Sequence, residues 1–123
     1  MVRSWPGALV LHLNRFEPIT STNGGGITFR RRNTPVTFPL EGLNVGSSSN
    51  PILYDCVSVS NHYGTRESGH YTAHAIRGDR WFLFNDDATP DVVDSPQTSI
   101  GDSNTDAYLL YFVRRQPVAV AMI

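Results

Sequence analysis

From Ala8 to Phe16 the chain alternates, with Leu9, Leu11 and Leu13 on one side of a period-two pattern and Val10, His12 and Asn14 on the other. That pattern predicts a strand with one strongly apolar face, begun cleanly after Pro6-Gly7. A flexible loop at Ser21–Gly26 follows, and Ile27-Thr28-Phe29 and Thr34–Phe38 read as short strands paired across Arg30-Arg31-Arg32-Asn33. After a polar loop from Asn44 to Pro51, Ile52–Asn61 is the next strand; Tyr54, Cys56, Ser58 and Ser60 alternate there with Asp55, Val57, Val59 and Asn61. His70–Arg77 and Trp81–Phe84 flank Gly78-Asp79, the signature of a hairpin, and Ala107–Val113 supplies the last strand.

Between these strands, Asp86–Asp106 is rich in acids, holds no base, and is interrupted by Pro90, Pro96 and Gly101. It reads as an acidic irregular segment. No segment of helix length shows a 3.6-residue period, so the sum is a single, mainly antiparallel β domain. Trp81, Phe82, Phe84, Tyr108, Tyr111 and Phe112 fall inside strands and are expected in its core.

Composition narrows the function. The 123 residues are 40% hydrophobic and 17% charged, which suits a soluble globular domain that buries about two-thirds of its surface. A formal charge of -1 gives no electrostatic case for nucleic acid. All ten cations are arginine, which excludes lysine nucleophiles and Schiff bases. One cysteine excludes an internal disulfide and a Cys-rich zinc cage. The first apolar run is broken by His12 and lacks a cleavage site, and no stretch reaches the about 18 apolar residues of a membrane span. An intracellular protein with no membrane partner is the expectation.

Four histidines and Cys56 are the candidates for chemistry. His70 opens a strand after a small, polar loop, and a turn at Gly78-Asp79 brings it beside Asn85 at the open end of the hairpin. An imidazole held by a carboxamide suits a base whose partner is a thiol, because a thiolate and an imidazolium already form an ion pair. Cys56, the one thiol available, sits in a strand, whereas activated cysteines favour helix N-termini, so it reads as a small packed residue. His12 and His74 read as structural. A zinc site built from His62, His70, His74 and an aspartate matches ligand types alone and no known spacing. Arg30-Arg31-Arg32 reads as a solvated loop, and Asp86 and Asp87 stand where they could attract a basic substrate tail.

Five motifs occur in one order: Leu11-His12-Leu13-Asn14-Arg15-Phe16, Ser60-Asn61-His62-Tyr63-Gly64, Gly69-His70-Tyr71-Thr72-Ala73, Trp81 to Asp87, and Ala107-Tyr108-Leu109-Leu110-Tyr111-Phe112 followed by Arg114. In these the chain resembles the C-terminal part of ubiquitin-specific protease catalytic domains. The likeness runs from about residue 6 to 115 of a single partial domain at 1–123, with 116–123 as a tail. It implies an α+β, mainly antiparallel β fold: the palm-like part of a papain-like cysteine peptidase. It further implies His70 as base, Asn85 as its orienting partner, Asp86 as the neighbouring acid, and Asn61, His62, Gly69 and Tyr71 beside the ubiquitin tail, with Gly69 letting backbone approach it.

The resemblance also exposes a gap, since the family's cysteine box, its oxyanion donor and the paired cysteines of its zinc fingers have no counterpart in this sequence. Asn14 stands where a Lys is usual, and Cys56 where an apolar residue is. The expected function is therefore that of a deubiquitinase cleaving after the ubiquitin C-terminal glycine, with this chain supplying His and Asn and lacking the nucleophile. Ubiquitin or a ubiquitinated protein is the partner implied, no cofactor or metal is needed, and the location is cytoplasmic or nuclear. The alternatives are a noncatalytic ubiquitin-binding module and a self-contained hydrolase using Cys56.

Overall fold

The structure, a computed structural model, describes residues 4–20 and 24–116. The loop expected at 21–26 lies outside these residues as far as Asn23, and the tail beyond Gln116 lies outside them too. The described residues form nine strands: β1 (Ala8–His12), β2 (Phe16–Thr20), β3 (Ile27–Arg31), β4 (Leu43–Asn44), β5 (Leu53–Gly64), β6 (Gly69–Arg77), β7 (Arg80–Phe84), β8 (Asp91–Val93) and β9 (Ala107–Arg114). Seven belong to one antiparallel sheet ordered β1-β9-β5-β6-β7-β8, with β4 added to β5, while β2 and β3 pair as a separate ribbon.

The core lies on one face of the large sheet. Leu9 and Leu11 pair in register with Phe112 and Leu110, which pair in turn with Cys56 and Val59. Alternation along β5 does not run as the sequence suggests, because a bulge between Cys56 and Ser58 slips the register. The slip turns Val59 and Asn61, rather than Ser58 and Ser60, onto the buried face with Tyr54 and Cys56. Phe38, Leu40 and Ile100 close this face from the loops.

Three expectations are corrected. First, Ile27–Arg31 pairs with Phe16–Thr20, not with Thr34–Phe38, which contributes a single bridge between Val36 and Asn104. Pro18 weakens the sequence signal for β2, yet a two-stranded ribbon tolerates a proline because one side of each strand needs no ladder partner. Second, Arg30 and Arg31 are strand residues, not a loop. Arg30 and Arg32 reach Glu17 at 2.9 and 3.6 Å, while Arg31 turns inward. Third, the acidic segment contains β8 and one wide helical turn, Gln97–Gly101, closed by Asp102 N–H on the Gln97 carbonyl at 2.9 Å. The Gln97 carboxamide accepts from Leu40 N–H at 2.8 Å and donates to the Phe38 carbonyl at 2.9 Å, clamping the loop over the core.

Of the six aromatic residues expected in the core, Trp81 and Phe112 are buried. Phe82, Phe84 and Tyr111 point to the opposite sheet face and are half-buried, and Tyr108 is half-buried beside His12. A more deeply buried polar residue is Arg15, whose guanidinium donates to the carbonyls of Ala107 (2.9 Å), Thr34 (2.5 Å) and Asn104 (3.1 Å). It ties the segment after β1 to two distant loops. No helix among the described residues is long and apolar enough to cross a membrane.

Candidate active site

The β6–β7 hairpin builds the site. Its two-residue turn, with Gly78 at φ 65°, sets Arg77 opposite Arg80 and Ala73 opposite Phe84. Asn85 leaves β7 at the open end and enters a turn in which Ala88 N–H donates to the Asn85 carbonyl at 3.0 Å. Asp86 takes a left-handed conformation there, at φ 47°, which aspartate tolerates better than most residues. His70, second residue of β6 and paired with Tyr63, then lies diagonal to Asn85, and its Nε2 is 2.7 Å from Asn85 Oδ1.

An amide oxygen only accepts, so in this contact Nε2 carries a proton and donates. Both residues are exposed. The pair is thus an imidazole oriented through Nε2 by Asn85 at an exposed end of the hairpin. Asp86 follows directly in the same turn.

The other expected site residues divide by burial. Tyr71 is 57% exposed and Gly69 is exposed, whereas Asn61 and His62 are each 1% exposed. The Asn61 carboxamide is committed inside the fold: Nδ2 lies 3.1 Å from Thr72 Oγ1 and 3.0 Å from His74 Nδ1. The Nδ1 of His62 accepts from Arg31 Nη1 at 2.8 Å, and its ring packs edge-on between Tyr71 and Phe16, with centroids at 4.8 and 5.3 Å. Burial, and then the Arg31 charge, hold the His62 pKa below the usual histidine range; burial alone does the same for His74.

Cys56 is 3% exposed in the middle of β5, and burial pushes its thiol up to about 11. Tyr63, the partner of His70, is seven residues further along the strand, roughly 23 Å at the rise of extended chain. The structure therefore does not bring Cys56 to His70. Nor does it bring the histidines together: among the described residues no group of three or more His, Cys, Asp or Glu is placed to hold a metal ion. His12 is exposed and stacks edge-on against Tyr108 at 4.8 Å, so it is a surface contact rather than a core residue.

Two arginines near the site escape sequence reasoning. Arg31 reaches His62, and Arg66 lies over the Phe29 ring with its guanidinium carbon 3.9 Å from the centroid. No local signal marked Arg31: it faces inward because Phe29 and Arg31 lie opposite Pro18 and Phe16, a pairing that the run of arginines does not announce.

Against this geometry stand the comparisons with known proteins. A family model described as ubiquitin carboxyl-terminal hydrolase matches residues 1–112. The chain is 36% identical to ubiquitin carboxyl-terminal hydrolase 3 of Mus musculus, over 98% of this chain and 23% of that protein. It is 34% identical to ubiquitin carboxyl-terminal hydrolase 2 of Rattus norvegicus, over 94% of this chain and 18% of that protein. A solved structure of the SAGA Ubp8/Sgf11/Sus1/Sgf73 DUB module superposes at a TM-score of 0.69 with 34% identity, covering 90% of this chain and 24% of that one. The same module has been solved bound to monoubiquitin and to ubiquitin aldehyde. The chain spans about a quarter or less of the length of these relatives. Its mainly antiparallel sheet is the palm-like part of the papain-like cysteine peptidase fold, and the chain belongs to the ubiquitin carboxyl-terminal hydrolase family, within its ubiquitin-specific protease group.

Proposed function

We propose that this chain carries the base half of a cysteine-peptidase site that cleaves the bond after the C-terminal glycine of ubiquitin. The observation that carries the proposal is the 2.7 Å contact between His70 Nε2 and Asn85 Oδ1 at an exposed hairpin end. With Nε2–H held by Asn85, His70 Nδ1 takes the proton of an incoming thiol, and the thiolate attacks the glycine carbonyl. The same nitrogen, now protonated, hands that proton to the departing amine, leaving a thioester. A water deprotonated at Nδ1 then attacks the thioester and frees the glycine carboxylate and the thiol. Asn85 holds the ring throughout, and Asp86 shapes the turn that aims it.

The nucleophile and the oxyanion donor come, on this proposal, from outside the 123 residues, since the sole cysteine is buried and remote. Gly69 and Tyr71, exposed on either side of His70, are the proposed contacts of the ubiquitin tail; Asn61 and His62 support them from behind. Ubiquitin as partner is favoured by the ubiquitin-bound state of the similar module. The missing nucleophile favours, as a second reading, a noncatalytic ubiquitin-binding module of the same surface.

The test uses a fluorogenic ubiquitin C-terminal amide. The chain alone is expected to show no turnover, with or without Cys56→Ala. Set into the catalytic domain of a related hydrolase in place of the matching quarter, it is expected to support turnover that falls on the order of 10³-fold or more with His70→Ala. Turnover by the chain alone that disappears with Cys56→Ala would overturn the proposal. Turnover in the composite enzyme that His70→Ala leaves untouched would overturn it as well, and ubiquitin binding without turnover in that enzyme would establish the second reading.

A further inference from the structure

We propose that Arg31, acting through the His62 ring, is a positioning group for His70: the ring is held under Gly69, and this contact sets where β6 begins. The inference rests on the reading of His70 as base and adds the residues that place it.

The arrangement is forced at each step. A guanidinium has donors only, so in the 2.8 Å contact Arg31 gives and His62 Nδ1 accepts, which puts the ring proton of His62 on Nε2. Arg31 is itself fixed on its other side, where Nη2 donates to the Thr105 carbonyl at 3.2 Å and lies 3.9 Å from Asp106 Oδ1. Its side chain is only 12% exposed. With His62 1% exposed and gripped by Phe16 and Tyr71, neither partner has room to turn.

The far edge of the ring meets Gly69. A Cβ at Gly69 would overlap His62 Nε2 and Cε1 and would stand 2.9 Å from the Thr65 carbonyl oxygen. Glycine is required here by close approach. Gly69 pairs with Gly64 and leads directly into His70, so any shift of the ring is passed to the backbone of the base. A second tie runs parallel to the first, because Arg66, in the loop before Gly69, lies over Phe29. Both Phe29 and Arg31 belong to β3, which makes no ladder with the main sheet. The β2–β3 ribbon is thereby coupled at two points to the segment that presents His70.

Nuclear magnetic resonance of the imidazole nitrogens and the Asn85 carboxamide of the chain tests this. In the parent chain near neutral pH, His62 is expected as the uncharged Nε2–H tautomer; a charged ring or an Nδ1–H tautomer would overturn the inference without any substitution. Asn85→Ala supplies the reference signals of an unlinked His70. Arg31→Ala is expected to move the His70 ring signals at least half of the way to that reference, and Arg31→Lys, which keeps a donor, to stay near the parent. Signals of His70 and Asn85 unchanged in folded Arg31→Ala would sink the inference. This readout reports position and not turnover, so a failure of His70 as base would show in the hydrolysis assay and leave this result standing on its own.

Discussion

The middle of the large sheet and the open end of its β6–β7 hairpin share strands, yet they are completed differently. At the middle, the large core side chains meet others from the same chain: Phe112, Leu110, Val59 and Tyr54 are buried in one cluster with Ile100, and Leu9 and Leu11 of β1 pack against it. At the open end, His70 and Asn85 meet each other and then solvent. One region is closed by its own sequence, and the other leaves the His70–Asn85 pair exposed. A fold can thus be closed in its core while the end that carries the proposed site stays open.

The largest test of that contrast is at the centre. Phe112 is 1% exposed between Leu9 and Cys56 in the ladder. Phe112→Ala is expected to cost about 3–5 kcal/mol of stability, through lost burial and the cavity left behind. Urea denaturation followed by circular dichroism measures it. A cost under about 1 kcal/mol would mean that the middle of the sheet is not closed in solution.

How far the sequence disclosed this contrast depends on the range of the interactions. The hairpin was legible, because a two-residue Gly-Asp turn fixes its own register and with it the meeting of His70 and Asn85, fifteen residues apart. Cys56 as a strand residue was legible for the same local reason. The partner of Ile27–Arg31 was not, since two strands compete for it and the true one contains Pro18. The bulge after Cys56 was silent too: it brings Val59 into register with Leu110, 51 residues further along the chain, a pairing that no local alternation encodes. Arg31 looked solvated because a run of three like charges gives no hint that its middle member faces a buried imidazole. Of the site, then, the pair that does the proposed chemistry was visible, and the residues that hold it in place were not.

Acid probes those supporting residues with a smaller effect. His62 and His74 have pKa values lowered in the folded chain, by burial and, for His62, by Arg31 as well. In the unfolded chain they titrate near the ordinary value of about 6.5, so below that pH the unfolded state binds more protons. Stability is therefore complete above about pH 6.5 and declines as pH falls beneath it, by at most about 1.4 kcal/mol per pH unit for each histidine. Asp55, held low by its hydrogen bond with Arg115, adds a loss only at much lower pH. A urea midpoint that drops between pH 7.5 and 5.5, and drops less in His62→Gln, is the expected result. A flat midpoint over that range would show both rings accepting protons without strain.

The smallest effect belongs to the residue proposed to matter most for chemistry. His70 is exposed, and among the described residues its side chain is hydrogen-bonded to Asn85. His70→Ala is expected to leave the urea midpoint within about 0.5 kcal/mol of the parent, as surface substitutions away from packed features do. The strands on either side are held by the ladder from Ala73–Phe84 to Arg77–Arg80 and by pairing with β5, none of which involves the imidazole. Were the loss instead above about 1 kcal/mol, the His70–Asn85 bond would be part of what keeps the hairpin closed. The open end would then belong to the fold, and the separation between a closed core and an open end would fail at the residue meant to define it.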